Sequence, residues 1–191
     1  MARSKEFEES AVLDKAMRLF WEQGYEKTSM TDLVEHMGIH RRSLYDTFGD
    51  KHTLFLKALD RYVKKVSSLA GGDNRFKTAT EALQSLFGLT FHKGEDSPSG
   101  CLMVNSAVEL AARDADVDIK STESFAKAEQ LIKEIILWGQ RDGEFTSDYD
   151  AEELAEYLHN VSVGLRVMAR TSISKEKLNR IANMSMKLLK K

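Results

Sequence analysis

Proline is scarce in this sequence, and that scarcity constrains the fold more than any other single feature. Pro98 is the one proline among 191 residues, whereas about 5% is usual. Because proline interrupts helices and is common in turns, its scarcity disfavours many-turned β sandwiches and favours long uninterrupted helices. Apolar residues also recur at helical spacing along the whole chain. We therefore predict an all-α fold of about nine helices.

Four closely spaced helices are predicted in the first part of the chain, of which the second and third are short. The first ends near Gly24, because glycine tolerates the left-handed conformation at a helix C-terminus. Ser29 and Asp32 form an S-x-x-D capping pattern at the start of the second. The small-residue segment 70–74 follows the fourth helix and indicates a break. These four helices are predicted at 7–24, 30–38, 40–48 and 51–69.

Five longer or more apolar helices are predicted after that break. The polar loop 92–100 contains Pro98 and follows the first of them. Residues 114–116 are predicted to be a second break, because two aspartates flank a single alanine there. The five helices are predicted at 76–91, 101–112, 120–142, 150–169 and 174–190.

Charge, cysteine content and absent motifs exclude several classes of protein. The net charge of −2 argues against a general polyanion binder, so any nucleic-acid site must be local. The one cysteine, Cys101, allows neither an intrachain disulfide nor a Cys-based zinc finger. No metal-ligand spacing or phosphate loop is present, and an S-x-x-K match at 172–175 lies between two helices without the accompanying motifs, so we expect no metal, no cofactor and no enzyme. The short apolar stretches and charged N-terminus predict a cytoplasmic protein that does not enter the membrane.

Residues 29–48 have the pattern of a helix-turn-helix. A capped two-turn helix leads through Gly38 into a second short helix, and glycine permits the sharp turn between them. Arg41, Arg42 and Ser43 lie at the N-terminus of that second helix. Side chains at this place reach base edges in the major groove, and arginine binds guanine O6 and N7 in a bidentate manner. The pattern therefore predicts a DNA-binding element.

The same segment resembles the DNA-binding domain of the tetracycline-repressor (TetR) family over residues 7–59. The resemblance implies a homodimeric regulator, usually a repressor, that binds a pseudo-palindromic double-stranded DNA operator and is released by a small-molecule effector. It divides the chain into a DNA-binding domain at 1–50, a linking helix at 51–69, and a ligand-binding and dimerisation domain at 70–191. The residues that carry it are Gly24, Tyr25, Thr28, Ser29, Met30, Asp32, Leu33, Gly38, Ile39, His40, Leu44, Tyr45, Phe48, Asp50 and Lys51.

Carried over by position, the resemblance also implies which residues touch DNA. His40 stands where many members have a Ser or Thr cap, and Arg42 stands where glycine is common. A histidine caps poorly, so we expect His40 to contact phosphate. Arg42 favours a G-containing half-site, with a phosphate contact as an equally open role. The DNA contacts implied are Thr28, His40, Arg41, Arg42, Ser43, Tyr45, Thr47 and Lys51.

The effector site is predicted from composition, since bulky and adaptable side chains suit an apolar pocket. For each of these residues, burial in an ordinary core is the alternative. Asn105 and Glu109 lie at i, i+4 on an otherwise apolar helix, where they either orient a ligand or cap a neighbouring element. The remaining candidates are Phe87, Phe91, Met103, Phe125, Trp138, Tyr157 and Met168.

Apolar stripes on the last two predicted helices suit a two-fold four-helix dimer interface, as the resemblance implies. Burial against the protomer's own domain is the alternative. The predicted interface residues are Leu154, Leu158, Val161, Leu165, Leu178, Ile181, Met184 and Leu188.

Two other functions remain open on the sequence. Cys101 follows the loop 92–100 at the start of a helix, a position that lowers a thiol pKa, so a redox- or electrophile-sensing regulator is one alternative. A helical protein-interaction scaffold without DNA binding is the other. Such a scaffold explains the fold but not the presence of Arg41, Arg42 and Ser43 beside Tyr45.

Overall fold

The computed structural model describes residues 8–70, 76–91 and 98–190, except the side chains of 69, 70 and 89–91. Within these ranges the chain forms nine α-helices and no strand, which confirms the predicted fold class. No helix in these ranges is both long and apolar enough to cross a membrane. The helices are α1 Glu9–Gln23, α2 Met30–Met37, α3 Arg41–Phe48, α4 Lys51–Ala70, α5 Ala79–Phe91, α6 Leu102–Leu110, α7 Ala115–Arg141, α8 Ala151–Met168 and α9 Lys175–Lys187.

The start and end of α2 follow the predicted local chemistry. The Asp32 amide donates to Ser29 Oγ over 3.1 Å, and the Ser29 amide donates to Asp32 Oδ2 over 2.8 Å. This reciprocal pair satisfies two N–H groups that a helix start otherwise leaves unpaired. Gly38 ends the helix in the left-handed region at φ 72°. The turn into α3 is therefore determined by residues within it.

The start of α7 differs from the prediction, which treated 114–116 as a break and began the helix at 120. The helix begins at Ala115, because Asp114 is its N-cap and accepts a hydrogen bond from the Val117 amide over 3.1 Å. Asp116 and Asp118 in the first turn favour this start, since negative charge is stabilised at a helix N-terminus. Val117 is fully buried, which anchors the added turn. The aspartates therefore start a helix rather than interrupt one.

Buried apolar side chains form two clusters. The first joins α1 to α4 with α6 and the first turn of α7, through buried residues that include Leu102, Met103 and Leu110. The second joins α5, the C-terminal half of α7, α8 and α9. The predicted boundary at 70–74 lies almost entirely outside the described residues. α6, which follows that boundary in the chain, packs with the N-terminal helices.

Candidate DNA-binding and effector sites

α3 presents one face to the core and the other to solvent. Leu44 and Phe48, one turn apart, are fully buried and fasten the helix to the first cluster. The opposite face carries Arg42 and Tyr45, which are exposed. The Arg42 side chain is 93% exposed and lies 3.7 Å from Asp46 Oδ2, a weak contact. The guanidinium is therefore available to a ligand that approaches this face.

The other residues predicted to touch DNA surround this face. Arg41 is exposed and donates to Thr31 Oγ1 over 3.0 Å, which fixes its direction relative to α2. His40 is the exposed N-cap of α3 and makes no side-chain cap hydrogen bond. Ser43, Thr47 and Lys51 are half-buried. The structure therefore brings seven of the eight predicted residues to the helix-turn-helix surface or its edge.

Thr28 has a different role from the predicted phosphate contact. Its side chain is fully buried, and its hydroxyl donates to the Gly24 carbonyl over 2.6 Å. That bond closes the turn between α1 and α2. A side chain so enclosed does not reach a phosphate, so Thr28 supports the turn instead.

Lys51 lies at the N-terminus of α4, where helix N–H groups favour an anion. Its Nζ stands 4.3 Å from the centroid of the Tyr25 ring. Asp50 precedes it and accepts from the Thr53 amide over 2.7 Å, and these hydrogen bonds from Thr53 hold the pKa of the Asp50 carboxyl below its ordinary value. The N-terminus of α4 is thus capped by Asp50, while the lysine ammonium is held over an aromatic face.

Glu109, predicted to contact an effector, instead caps a neighbouring element. Its Oε2 accepts from the Tyr25 amide over 3.0 Å, and its Oε1 accepts from the Glu26 amide over 2.8 Å. Gly24 beside them has φ 85°, and a Cβ there would lie 2.8 Å from Glu109 Oε2. Both carboxylate oxygens are therefore engaged with the turn between α1 and α2. The alternative that the sequence left open for this residue is the one the structure has.

Asn105 lies one helical turn before Glu109 on α6. Its side-chain Nδ2 is buried, and the described part of the chain offers it no hydrogen-bond partner. An unpaired buried amide costs about 1–3 kcal/mol. A bound group that accepts this hydrogen bond would remove that cost, so Asn105 remains an effector candidate.

Sequence reasoning missed a polar group around Cys101. The Tyr62 hydroxyl lies 3.2 Å from Cys101 Sγ, and Arg166 Nη1 lies 3.8 Å from the same atom. Burial raises the pKa of Tyr62 well above its ordinary value, so the phenol stays protonated. These three residues come from α4, the N-cap of α6 and α8. No local pattern in the sequence indicates that they meet.

His159 is a second residue that the sequence did not place in the site. It is buried on α8, its Nδ1 lies 3.0 Å from Glu129 Oε1, and its ring centroid lies 5.5 Å from that of Phe125. Burial lowers the pKa of His159, so the imidazole is neutral and its Nδ1–H donates to the carboxylate. Nε2 is then an acceptor, and it has no partner within the described ranges. The sequence signal that could have found this site is the spacing of His159 and Arg166, which lie seven residues apart and therefore on the same side of α8.

The other predicted effector residues do not converge. Phe87, Trp138 and Met168 pack in or against the second cluster, whereas Met103 and Phe125 belong to or pack against the first. The Phe91 side chain lies outside the described residues, and Tyr157 is 44% exposed. The core alternative therefore describes Phe87, Trp138 and Met168. Of this predicted set, Phe125 lies against His159.

The predicted dimer interface also needs correction. The four leucines Leu154, Leu158, Leu165 and Leu178 are buried in the protomer's own second cluster, so they are not available to another subunit. Val161 and Ile181 are partly buried against the same cluster. Met184 and Leu188 are exposed, at 61% and 46%. Other large apolar side chains exposed on α8 are those of Tyr157 and Val167.

Two family models together match most of the chain. Residues 12–58 match "Bacterial regulatory proteins, tetR family", and residues 79–185 match "Tetracyclin repressor-like, C-terminal domain". The first covers α1 to α3 and the start of α4, and the second covers most of the remaining helices.

Individual relatives are similar over nearly their whole length. The HTH-type transcriptional repressor ComR of Escherichia coli (strain K12) is 34% identical, over 97% of this chain and 90% of that protein. A cysteine mutant of the regulator CifR, complexed with 26-bp double-strand operator DNA, has a TM-score of 0.86 and 29% identity. That match covers 98% of this chain and 100% of the other. The reduced form of E. coli NemR shares the fold, with a TM-score of 0.79 and 17% identity over 94% and 95% of the two chains.

Proposed function

This chain belongs to the tetR family of bacterial regulatory proteins and is a DNA-binding transcriptional regulator, and on that premise we propose that it represses transcription as a cytoplasmic homodimer. The dimer binds a pseudo-palindromic operator and leaves it when a small molecule binds. One observation carries the proposal: Leu44 and Phe48 bury one face of α3, so that Arg42 and Tyr45 occupy the exposed face. A recognition helix needs such a face to enter the major groove.

The exposed residues divide into two kinds of DNA contact. Arg42 is one of two exposed arginines on α3, and its weak pairing with Asp46 leaves its guanidinium available to bind guanine. Lys51 and His40 lie at helix N-termini, where phosphate is favoured. Arg42 therefore contributes to sequence specificity, whereas Lys51 and His40 position the protein on the duplex.

Selection of duplexes from a random library by the wild-type protein, followed by affinity measurements on variants, tests this function. Arg42→Ala should lose about 1–3 kcal/mol on a selected G-containing site and relax the preference at that position. Lys190→Ala, at the exposed C-terminal end of the described chain, is the matched loss of one cation and should bind normally. Failure of the wild type to select any duplex would contradict the proposed function, whereas full specificity in Arg42→Ala would contradict the base contact assigned to Arg42.

The second subunit docks on the exposed face of α8 and α9 in this proposal. Tyr157, Val167, Met184 and Leu188 supply apolar area there. Gly164 lies on the same face of α8, and a Cβ at that position would meet no atom within 4 Å, so a partner helix has room to approach closely. Dimerisation provides two recognition helices about 34–36 Å apart, the spacing of successive major grooves on one side of the duplex.

The effector binds where α4, α6, α7 and α8 meet. Two buried atoms, Asn105 Nδ2 and His159 Nε2, have no partner among the described residues. Asn105 lies on α6, which begins at Cys101, and His159 lies on α8, which contacts Cys101 through Arg166 and Phe125 through His159 itself. Arg166 adds a positive charge, and no carboxylate in the described chain lies within 4.0 Å of it. We infer a small polar effector with an acidic or carbonyl group for Asn105 and Arg166, and a hydroxyl or amide donor for His159.

Redox control through Cys101 is a second candidate, favoured by the groups around its sulfur. Cys101 is the N-cap of α6, and the Tyr62 hydroxyl and the Arg166 guanidinium both approach Sγ as donors. Hydrogen peroxide would oxidise the Cys101 sulfur to a sulfenic acid and release water. Peroxide-induced release from DNA that persists in Cys101→Ser would exclude this candidate. The protein-interaction scaffold is set aside, because the chain is a member of a DNA-binding family.

A further inference from the structure

The turn between α1 and α2 connects α6 with the lysine that begins α4. We propose that Glu109 and Tyr25 are positioning residues for Lys51, and that α6 passes the effector signal to the operator through them. This inference rests on the proposed function in two respects: Lys51 contacts an operator phosphate, and the effector binds beside α6. The three residues form one continuous series of contacts, which we call the 109–25–51 relay.

The first contact of the relay is a carboxylate clamp on the backbone. Glu109 accepts from two successive amides, those of Tyr25 and Glu26, over 3.0 and 2.8 Å. Hydrogen bonds to an ionised acceptor are about twice as strong as neutral ones. Because Gly24 has no Cβ, the carboxylate can approach the turn this closely. The position of the turn therefore follows the position of Glu109.

The second contact passes from the turn to the lysine. The Tyr25 ring packs on Phe55 with a centroid separation of 4.8 Å, and Lys51 Nζ lies 4.3 Å from the Tyr25 centroid. An ammonium at this distance is attracted to the ring face, and the attraction is directional. Displacing the turn moves the ring, and the ammonium loses its preferred position.

The other end of the relay lies in the effector region. Asn105 is one helical turn before Glu109 and Cys101 is one turn before Asn105, so the three share a face of α6. The buried Nδ2 of Asn105 has no partner among the described residues, so a ligand that binds it pulls on the helix that carries the clamp. α6 is short, so a shift at Asn105 is transmitted to Glu109 as a rigid-body displacement.

The corner after α6 strengthens this coupling. Arg113 pairs with Glu26 over 3.3 Å, and Asp114 lies 2.9 Å from His52 Nε2 at the start of α4. The corner thus holds both sides of Lys51: the turn that carries Tyr25, and the first turn of α4. A displaced α6–α7 corner alters both together.

The relay ends at a phosphate contact and not at a base contact. Loss of a phosphate contact weakens binding almost equally on all sequences and lowers the salt dependence, by about 0.9 in the slope of log K against log salt per contact. Loss of a base contact changes the sequence preference instead. The relay therefore predicts a change in salt slope with an unchanged preferred sequence.

The test measures affinity for a duplex selected by the wild-type protein over a range of salt concentrations. Lys51→Met and Tyr25→Leu should lower the slope equally, and the double variant should lower it no further. Tyr25→Phe keeps the ring face and should therefore retain the wild-type slope. Glu109→Gln keeps the shape but loses an acceptor, so it should lower affinity in the wild-type background and have no effect in Lys51→Met.

Hydrogen exchange at the backbone supplies a readout independent of DNA. The amides of Tyr25 and Glu26 should exchange several-fold faster in Glu109→Gln, whereas Glu123→Gln, an exposed glutamate on α7, should leave both exchange and affinity unchanged. If Tyr25→Leu fails to fold, the Glu109→Gln comparison in the two backgrounds decides. Wild-type slope and affinity in Glu109→Gln would overturn the relay and leave the proposed function standing. Failure of the wild type to select a duplex would overturn the proposed function itself.

Discussion

Nδ1 of His159 lies 3.0 Å from the carboxylate of Glu129, so one end of this buried imidazole is fixed while the other, Nε2, has no partner in the described chain. The carboxylate accepts the Nδ1 proton and thereby determines the tautomer. Burial opposes protonation, and the Arg166 charge opposes it further. The pair therefore holds a neutral acceptor in the region where we place the effector.

Acidification should destabilise the protein through His159. Its pKa in the folded state lies below the ordinary value of 6.5, so below pH 6.5 the unfolded chain binds more protons than the folded one. Stability is then lost as the pH falls from 6.5 toward the folded pKa. Melting temperatures measured from pH 7.5 to 5 should fall less in His159→Gln than in the wild type. The exposed His36→Gln is the control, and it should follow the wild-type curve.

The contact between α1 and α4 should also weaken at low pH, in this case because a carboxylate becomes protonated. Asp14 pairs with Arg61 and Lys65 over 2.9 and 2.8 Å, and the hydrogen bond from Arg61 is the main reason that the pKa of Asp14 lies below 3.8. Its contribution is present above pH 3.8 and is lost as the pH falls through the folded pKa.

Asp14→Asn should therefore reduce the free energy of unfolding by about 1 kcal/mol at pH 7, a small value because the Asp14 side chain is 30% exposed and solvent screens the pair. The difference from the wild type should disappear in acid. Urea unfolding at several pH values measures both, with the exposed Asp148→Asn as control. An equal loss at all pH values would contradict the assignment.

Substitutions at two residues predicted for the same interface should have opposite effects on dimerisation and on protomer stability. Met184 is 61% exposed and Leu178 is 2% exposed. Met184→Glu should convert the dimer to a monomer with little change in protomer stability, because it places a charge in the interface. Leu178→Ala should keep the dimer mass but lose about 2–5 kcal/mol of stability, because it opens a cavity in the core.

Light scattering and urea unfolding separate these two effects. Val108→Glu introduces the same charge at an exposed apolar position on another helix, α6, and should leave the mass unchanged. A dimeric Met184→Glu protein would place the interface elsewhere.

We expect the buried Asn105 side chain to lower the free energy of unfolding when no effector is bound. Asn105→Leu is similar in volume and removes the Nδ2 that has no partner in the described ranges, so we expect the free energy of unfolding to rise by about 1 kcal/mol. Thermal melts of the effector-free protein measure this change, and Gln23→Leu at an exposed site serves as control. Destabilisation by Asn105→Leu would show that the amide is satisfied in solution, and the effector assignment would lose its support.

Much of the N-terminal region was predictable because its structure depends on neighbouring residues. The capping box of Ser29 and Asp32, the left-handed Gly38 and the buried pair Leu44 and Phe48 all act within a few residues of the chain. Composition and periodicity were also sufficient for the all-α class. At Asp114 and Asp116 the local prediction was wrong, because acidic residues predicted to break the helix instead begin it.

The effector and dimer regions depend on contacts between distant segments, and there the sequence left alternatives that only packing resolved. Helical periodicity determined that Leu158 and Leu178 lie on apolar stripes, but not whether the stripe faces the protomer's own core or a second copy. Likewise, spacing placed Asn105 and Glu109 on one face of α6, while tertiary structure directed Glu109 to amides more than 80 residues away in the chain. The physical reason is the same in both cases. Periodicity specifies which side of a helix is buried or polar, whereas the partner on that side is determined by how the helices pack.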